Sequence, residues 1–509
     1  MIDSENKGLE ETLDPDDWTT LRHLGHQMIE DMMDFLQNIR NSPVWQPIPA
    51  DTKKFLDQPL PEKPQGDAAV YEEFKKHILP HPMGNIHPRF WGWVIGSGTA
   101  LGMLAEMLAA GMNPNLGGAD HAANYVEVQV ISWLKQMLNY PADASGLLVS
   151  GGSMANLVGL TVARNTLARV ELRNQGLRAM PQDMVLYCSV EAHSSIQRAV
   201  ELLGLGNRAL RKIPVDAEYR MNTAVLKQRI ATDKDQGRQP FCIVANAGTV
   251  NTGAFDDIQQ LADICQAEGL WLHVDGAFGA LAALSPDLRH LVAGMQRADS
   301  LAFDLHKWMY MPYEIGCTLV HSEAAHRKTF SMTTDYLEHS GQRGLIAGDK
   351  WFGDYGVQLS RGFRALKAWI SLKAYGVEKY GRLIQQNVNQ ARYLAGLVDD
   401  HPELERVAPV PLNIVCFRYQ QDGLPDAALN ALNHELLIRL QEDGLAAPSY
   451  TTLDGKYVLR AAITNHRSRK EDFDILVNET VRLGRMLAAQ IECAADTLDQ
   501  PRGTCWFNR

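Results

Sequence analysis

Five short runs, GLLVS (146–150), MVLYCSV (184–190), FCIVAN (241–246), LWLHV (270–274) and IGCTLV (315–320), are apolar at nearly every position. A strand with one wet face alternates polar and apolar side chains, so runs without alternation belong to strands covered on both faces. Helical stretches lie between the runs and supply the crossovers that parallel strands require. Residues 86–385 are therefore expected to form a large α/β domain on a mainly parallel sheet. Ligands of such sheets gather at the carboxyl ends of the strands, which directs attention to the residues just past each run.

Those residues form a set. GLLVS leads into GGSMANLVGL, two glycines and a serine opening a helix, where free N–H groups and the positive helix end suit an anion beside Gly152 and Ser153. A plain turn with a helix cap accounts for the same residues equally well. MVLYCSV leads to EAHSS and brings the planar side chain of His193 to the edge, while FCIVAN leads to AGTVNTGAFDD, a small-residue loop that lets a ligand approach. LWLHV runs directly into Asp275, and DSLAF (299–303) runs into DLHK and its amine, Lys307. Alone, a lysine is usually a surface residue. An anion cradle, a planar ring, an acid and an amine on one sheet edge are the partners of pyridoxal 5'-phosphate. Its phosphate, ring, pyridine nitrogen and aldehyde require them in turn.

Composition removes other classes. The chain has 509 residues, 45% of them hydrophobic, enough for a large core and more than one domain. A formal charge of -11 with a pI near 5.8 disfavours a nucleic-acid surface and an anionic membrane. The acidic start MIDSENKGLEETLDPDDW lacks the order of a signal or transit peptide. The longest apolar stretch, 99–112, contains Glu106, is too short to span a bilayer and reads as a buried helix. Seven scattered cysteines without a CxxC pair suit a reduced cytoplasmic protein, and neither an HExxH motif nor further ligands for His23 and His26 point to a metal.

The flanks differ from the centre. Leu21, Leu24, Met28, Met32, Phe35 and Ile39 recur at helical spacing, and the proline-rich passage 42–64 is expected to hold neither a regular helix nor a central strand. Residues 1–85 thus read as an arm with little core of its own that packs on a second subunit. Beyond 386, NIVCFRY and YVLRAAIT read as strands and 426–444 and 470–492 as amphipathic helices, a small C-terminal α/β domain over 386–509.

The motifs VSGGSMANLVGL, VEAHSS, LWLHVDGAFGA and FDLHKW, in this order, resemble the group II pyridoxal-phosphate-dependent amino-acid decarboxylases. HPRFWGWVIGSG, DYLEHSG, LSRGFRALKAW and YVLRAAIT extend the resemblance over nearly the whole chain. It implies the fold type I architecture of the aspartate aminotransferase kind, and a homodimer with active sites at the interface and the N-terminal arm wrapping the partner. It implies that Lys307 holds the cofactor beside His306, that Asp275 pairs with the pyridine nitrogen, and that Ala277 lies under the ring and His193 above it. Gly152 and Ser153 match the phosphate loop, and Thr249 a loop facing cofactor and substrate. Phe90, Trp91, Trp93 and Ile95 match the part of the pocket nearest the substrate side chain, although these aromatics suit core equally well. Arg460 matches an arginine near the site and equally suits a structural ion pair, and Arg89 would suit an acidic substrate.

Composition makes 331–349 a mobile loop, and Tyr336 within it matches the family tyrosine that protonates the α-carbon after carbon dioxide leaves. Aldehyde-forming relatives lack either this tyrosine or the stacking histidine. The expected activity is therefore decarboxylation of an L-amino acid, aromatic preferred, to its amine. The alternatives are an aldehyde synthase, a transaminase, a decarboxylase of acidic amino acids, and a catalytically silent scaffold. Two positions depart from the aromatic-amino-acid branch: Val250 where threonine is usual and Asp304 where asparagine is usual. A nicotinamide fingerprint has one weak match, GLGNRA at 204–209, which follows a helical segment instead of a strand.

Overall fold

Every apolar run becomes a strand. The computed structural model describes residues 11–332, 343–348 and 350–499, with side chains to residue 491. Its strands are β1 (Phe90–Trp91), β2 (Ser145–Val149), β3 (Met184–Ser189), β4 (Leu210–Ile213), β5 (Gln239–Asn246) and β6 (Trp271–Asp275). They continue as β7 (Ser300–Asp304), β8 (Gly316–Val320), β9 (Leu404–Arg406), β10 (Ile414–Tyr419), β11 (Ala447–Leu453) and β12 (Lys456–Ala462).

Seven strands form one sheet in the order β2-β8-β7-β6-β5-β3-β4. β4, β3, β5, β6 and β7 are mutually parallel. All residues of β2, β3, β5, β6, β7 and β8 are buried, as lack of alternation requires, whereas the edge strand β4 is partly open. Each fully buried Leu, Ile or Phe of these strands, such as Leu148, Phe241 and Ile243, contributes about 1.5–3 kcal/mol.

One run departs from expectation. IGCTLV becomes β8, which lies antiparallel to both β2 and β7. Only residues 305–315 separate β7 from β8, fewer than a parallel crossover needs, so the chain must turn back. The reversal sets Gly316, at the start of β8, beside the carboxyl ends of its neighbours.

A second sheet has the order β1-β11-β12-β10-β9 and a core of its own around Phe417, Leu436, Leu459 and Phe473. NIVCFRY and YVLRAAIT supply β10 and β12, and the helices Asp426–Glu442 and Lys470–Asp499 occupy the expected spans. β1 pairs in parallel with β11, so Phe90 and Trp91 belong to this sheet although they precede the large sheet in sequence.

The flanking segments hold two surprises. The passage 42–64 contains a helix, Ala50–Leu56, because its prolines leave 50–58 free and Pro49 takes the N-cap position. The apolar helix Ala100–Met112 is not enclosed within one chain. Gly102, Ala105 and Ala109 are buried, while Met107, Leu108 and Met112 are about half exposed. The arm helix Trp18–Asn38, capped by Asp17 through the N–H groups of Thr19 and Thr20, buries no residue. Its end is tied down by Arg40, which donates to Asp472 Oδ1 at 2.7 Å and to the Arg467 carbonyl at 2.8 Å. No helix among the described residues is long and apolar enough to cross a membrane.

Candidate active site

Adjacent parallel strands carry the chemistry to one edge. β7, β6, β5 and β3 are neighbours, and Lys307, Asp275, the Gly248–Val250 turn and His193 follow their carboxyl ends in that order. A cavity of about 300 Å³ opens there, lined by Trp93, His193, Val250, Asp275, Ala277 and Lys307 among others. A larger concavity of about 900 Å³ opens beside β4, but it contains none of these residues, and its Arg211 and Arg238 are paired with Asp233.

Asp275 ends β6 and is held by two donors, Asn156 Nδ2 at 2.9 Å on Oδ2 and the Ala277 N–H at 3.2 Å on Oδ1. Asn156 continues a buried chain whose direction follows from which atoms can donate. Trp271 Nε1–H donates to Ser300 Oγ at 2.8 Å, the Ser300 hydroxyl donates to His273 Nδ1 at 2.8 Å, and His273 Nε2–H donates to Asn156 Oδ1 at 2.9 Å. The chain requires a neutral His273, and burial pushes its pKa down to about 3. Asn156 also donates to Ser195 Oγ at 3.0 Å, which lies 2.9 Å from His193 Nδ1. The Ser195 N–H donates to the same nitrogen at 3.2 Å, so Nδ1 accepts and Nε2 carries the proton of neutral His193. Burial lowers the His193 pKa, against the opposing influence of Asp275. Sequence reading missed Asn156 and His273; the available signal was a polar residue one turn into an otherwise apolar helix.

The amine lies at the other end. Lys307 Nζ is 2.9 Å from Asp304 Oδ2, with His306 Nε2 3.7 Å from the same oxygen. His306 is fixed by the Ile315 N–H donating to Nδ1 at 3.1 Å and by ring contact with Tyr313 at 4.4 Å, and burial lowers its pKa. Gly151 and Gly152 open the helix Gly152–Leu167. A Cβ on Gly152 would lie 2.9 Å from Asp304 Oδ2 and 3.5 Å from the Ala277 Cβ, so the glycine allows a close approach. Ser153 is exposed at this helix start.

The remaining expected residues divide. Trp93 lines the cavity while 57% exposed, whereas Trp91 is 1% exposed, stacks on Phe473 and donates to Ser468, making it core and not pocket. Its position in β1 fixes this outcome, since strand residues alternate sides and Trp91 faces the second core. Phe90 and Ile95 pack with Val44 and Ala447, away from the lining. Arg460 directs its donors to the Val250 and Asn251 carbonyls and to Ser449, and so braces the loop instead of reaching into the cavity. Burial pushes its pKa down to about 10. Arg89 donates to the Leu445 carbonyl. Thr249 is buried and supports the same loop, 3.1 Å from Thr252 Oγ1 and accepting from the Ala254 N–H. Tyr336 lies outside the described residues.

An amine at one strand end, a doubly held carboxylate at the next and a glycine turn opening a helix beside them fit pyridoxal phosphate. Comparison with known proteins agrees. The pyridoxal-dependent decarboxylase conserved domain matches residues 49–420. The chain is 34% identical over 480 residues to an aromatic-L-amino-acid decarboxylase of Bacillus atrophaeus, covering 94% of this chain and 98% of the relative. It is 29% identical over 489 residues to a phenylacetaldehyde synthase of Arabidopsis thaliana, covering 93% and 98%. The fold matches Oryza sativa TDC solved with PLP and tryptamine at a TM-score of 0.85, 24% identity and 94% and 100% coverage. It matches mouse CSAD at 0.86, 25% identity and 92% and 99% coverage. The chain belongs to the pyridoxal-dependent decarboxylase family and is a pyridoxal-phosphate-dependent amino-acid carboxy-lyase of fold type I.

Proposed function

We propose that the protein decarboxylates an aromatic L-amino acid to its amine. The observation that carries this reading is the cavity wall. Trp93, Val94, Val250 and Phe278 line it, and among the described lining residues only Lys307 and His193 are basic. Arg89 and Arg460 direct their donors elsewhere, so among the described lining residues an acidic side chain finds no arginine, and the one lysine is the residue assigned to the cofactor. A flat aromatic side chain finds rings and apolar surface.

When bound, the cofactor supplies an aldehyde for the lysine amine and a conjugated ring that accepts the electron pair left by departing carbon dioxide. Lys307 Nζ would hold that aldehyde. Asp275, oriented by Asn156 and the Ala277 N–H, would face the ring nitrogen and favour a proton there. His193 and Ala277 would hold the ring, Gly152 and Ser153 would receive the phosphate, and Thr249 would shape the adjoining loop. Tyr336 delivers the proton to the α-carbon, and with His193 it directs the outcome to amine. The similarity to a phenylacetaldehyde synthase supports aldehyde formation as the second reading.

The division 1–85, 86–385 and 386–509 serves as arm, cofactor domain and small domain in this reading. The unburied arm helix and the open face of Ala100–Met112 support a homodimer with its sites at the interface. The five described cysteines are free and buried, which supports a cytoplasmic location. The test offers the cofactor-loaded protein a panel of L-amino acids and follows carbon dioxide and products by mass spectrometry. Aromatic amine with equimolar carbon dioxide is expected. Aldehyde with ammonia, preference for an acidic substrate, or no product would each overturn the proposal, the last in favour of a silent scaffold.

A further inference from the structure

We propose that Asp304 is an internal competitor for the cofactor's phosphate: its carboxylate lies against the anion cradle and holds Lys307 there as counter-ion, so cofactor capture sets a phosphate beside a fixed carboxylate. The inference rests on the assignment of Lys307 and the Gly151–Ser153 turn to pyridoxal phosphate.

Two observations and one physical rule set the carboxylate against the cradle. A Cβ built on Gly152 would meet Asp304 Oδ2 at 2.9 Å, and one built on Gly151 would meet Oδ1 at 3.6 Å, so both oxygens lie against the backbone that opens the helix. The first turn of a helix leaves its N–H groups unpaired and carries partial positive charge, which favours an anion there. Third, Asp304 is 1% exposed and its Oδ1 has no hydrogen-bond partner, while Oδ2 is 2.9 Å from Lys307 Nζ. A buried carboxylate oxygen with no donor is costly unless something else occupies or completes the site.

Its position is fixed from behind. The Asp304 N–H donates to the Ala277 carbonyl at 2.9 Å, and Gly316 leaves room for the carboxylate because a Cβ there would lie 2.6 Å from Oδ1. A phosphate entering the same helix start therefore meets a carboxylate that this wall prevents from withdrawing. Like charges at such separation oppose binding, and the amine must leave its partner before it can attack the aldehyde. A neutral amide of the same shape at this position would impose neither cost. The consequence is selective: Asp304 weakens binding of the phosphorylated cofactor much more than binding of pyridoxal, which has the same aldehyde and ring but no phosphate.

The experiment titrates cofactor-free wild-type protein, Asp304→Asn and Asp304→Ala with pyridoxal phosphate and separately with pyridoxal, following the visible absorbance of the bound aldehyde. Asp304→Asn is expected to bind pyridoxal phosphate at least ten-fold more tightly, with pyridoxal changing less than three-fold. Asp304→Ala adds no donor, so a gain there too assigns the effect to lost repulsion. Unchanged or weaker pyridoxal phosphate binding in both variants would overturn the proposal, as would an equal gain for both aldehydes. Borohydride reduction of the wild-type complex followed by peptide mass spectrometry separates the premise: an adduct on another lysine would remove Lys307 and the proposal with it.

Discussion

Asn156 donates from Nδ2 to Asp275 Oδ2 at 2.9 Å while its own oxygen receives the His273 Nε2–H at the same distance. The amide therefore fixes the carboxylate from inside the protein, and its orientation is set in turn by His273, Ser300 and Trp271. Asn156→Ala removes one of two donors from a buried carboxylate, a loss of about 1–3 kcal/mol. Urea denaturation should record that loss, and kcat should fall about ten-fold with little change in KM. Asn156→Asp sets two acidic groups against each other and should lower kcat further. A variant with wild-type kcat would show that Asp275 needs no support from this side.

Lys307→Ala should abolish turnover and remove the borohydride-stable cofactor adduct from the peptide around Trp308. The variant leaves the buried Asp304 carboxylate without the ammonium 2.9 Å from it, so its melting temperature should fall, and a circular-dichroism spectrum separates this cost from the loss of chemistry. An adduct of normal yield elsewhere would locate the aldehyde on a different amine.

On the proposed mechanism, Tyr336→Phe should convert the product from amine to aldehyde, ammonia and hydrogen peroxide, since the α-carbon electron pair, denied its proton, is then open to oxidation by dissolved dioxygen. Product analysis decides it, and an unchanged amine yield would remove Tyr336 from the mechanism.

Much of this site could be read from the sequence because strand ends are legible there. An unbroken apolar run marks where a strand ends, and the residues at or just past those ends, Asp275, His193 and Lys307, line the cavity. Side-chain direction was not legible. Trp91 and Trp93 are two apart in an aromatic segment, yet Trp91 stacks in the second core and Trp93 lines the cavity. The positive φ of 50° at Trp93 marks the bend that separates them. Arg460 failed for a different reason: whether an arginine meets a substrate or a backbone carbonyl depends on contacts more than 200 positions away in the chain. The reversal into β8 follows from the shortness of 305–315, a constraint that the apolar pattern of the strand does not carry.

Acid should destabilise the fold well above the carboxylate range. Burial pushes the pKa of His273 down to about 3 and those of His326 and His466 to about 4, from an ordinary value of 6.5. Each binds its proton more readily in the unfolded chain. Stability is therefore fully present above pH 6.5 and is lost as pH falls toward the folded values. By pH 5 the loss is roughly 2 kcal/mol per histidine, at ~1.4 kcal/mol per pH unit. Urea midpoints at pH 7.5, 6 and 5 should fall in that order, and a flat profile across this window would contradict the burial of these rings.

Gly316→Ala tests how tightly the reversal into β8 shapes the cradle. The added Cβ would lie 2.6 Å from both Asp304 Oδ1 and the Gly151 Cα. The Gly151 contact is backbone, so no side-chain rotation relieves it, and the start of β8 must separate from the turn that opens the helix. Overpacking of this kind costs about 1–3 kcal/mol. It should also loosen the turn assigned to the phosphate, so cofactor dissociation, followed as loss of bound absorbance after dilution, should accelerate more than the melting temperature alone implies. An alanine at Gly362, where nothing lies within 4 Å, is the control and should change neither. If Gly316→Ala lowers the melting temperature but leaves cofactor release at the wild-type rate, the turn is a packing device and the phosphate is held elsewhere.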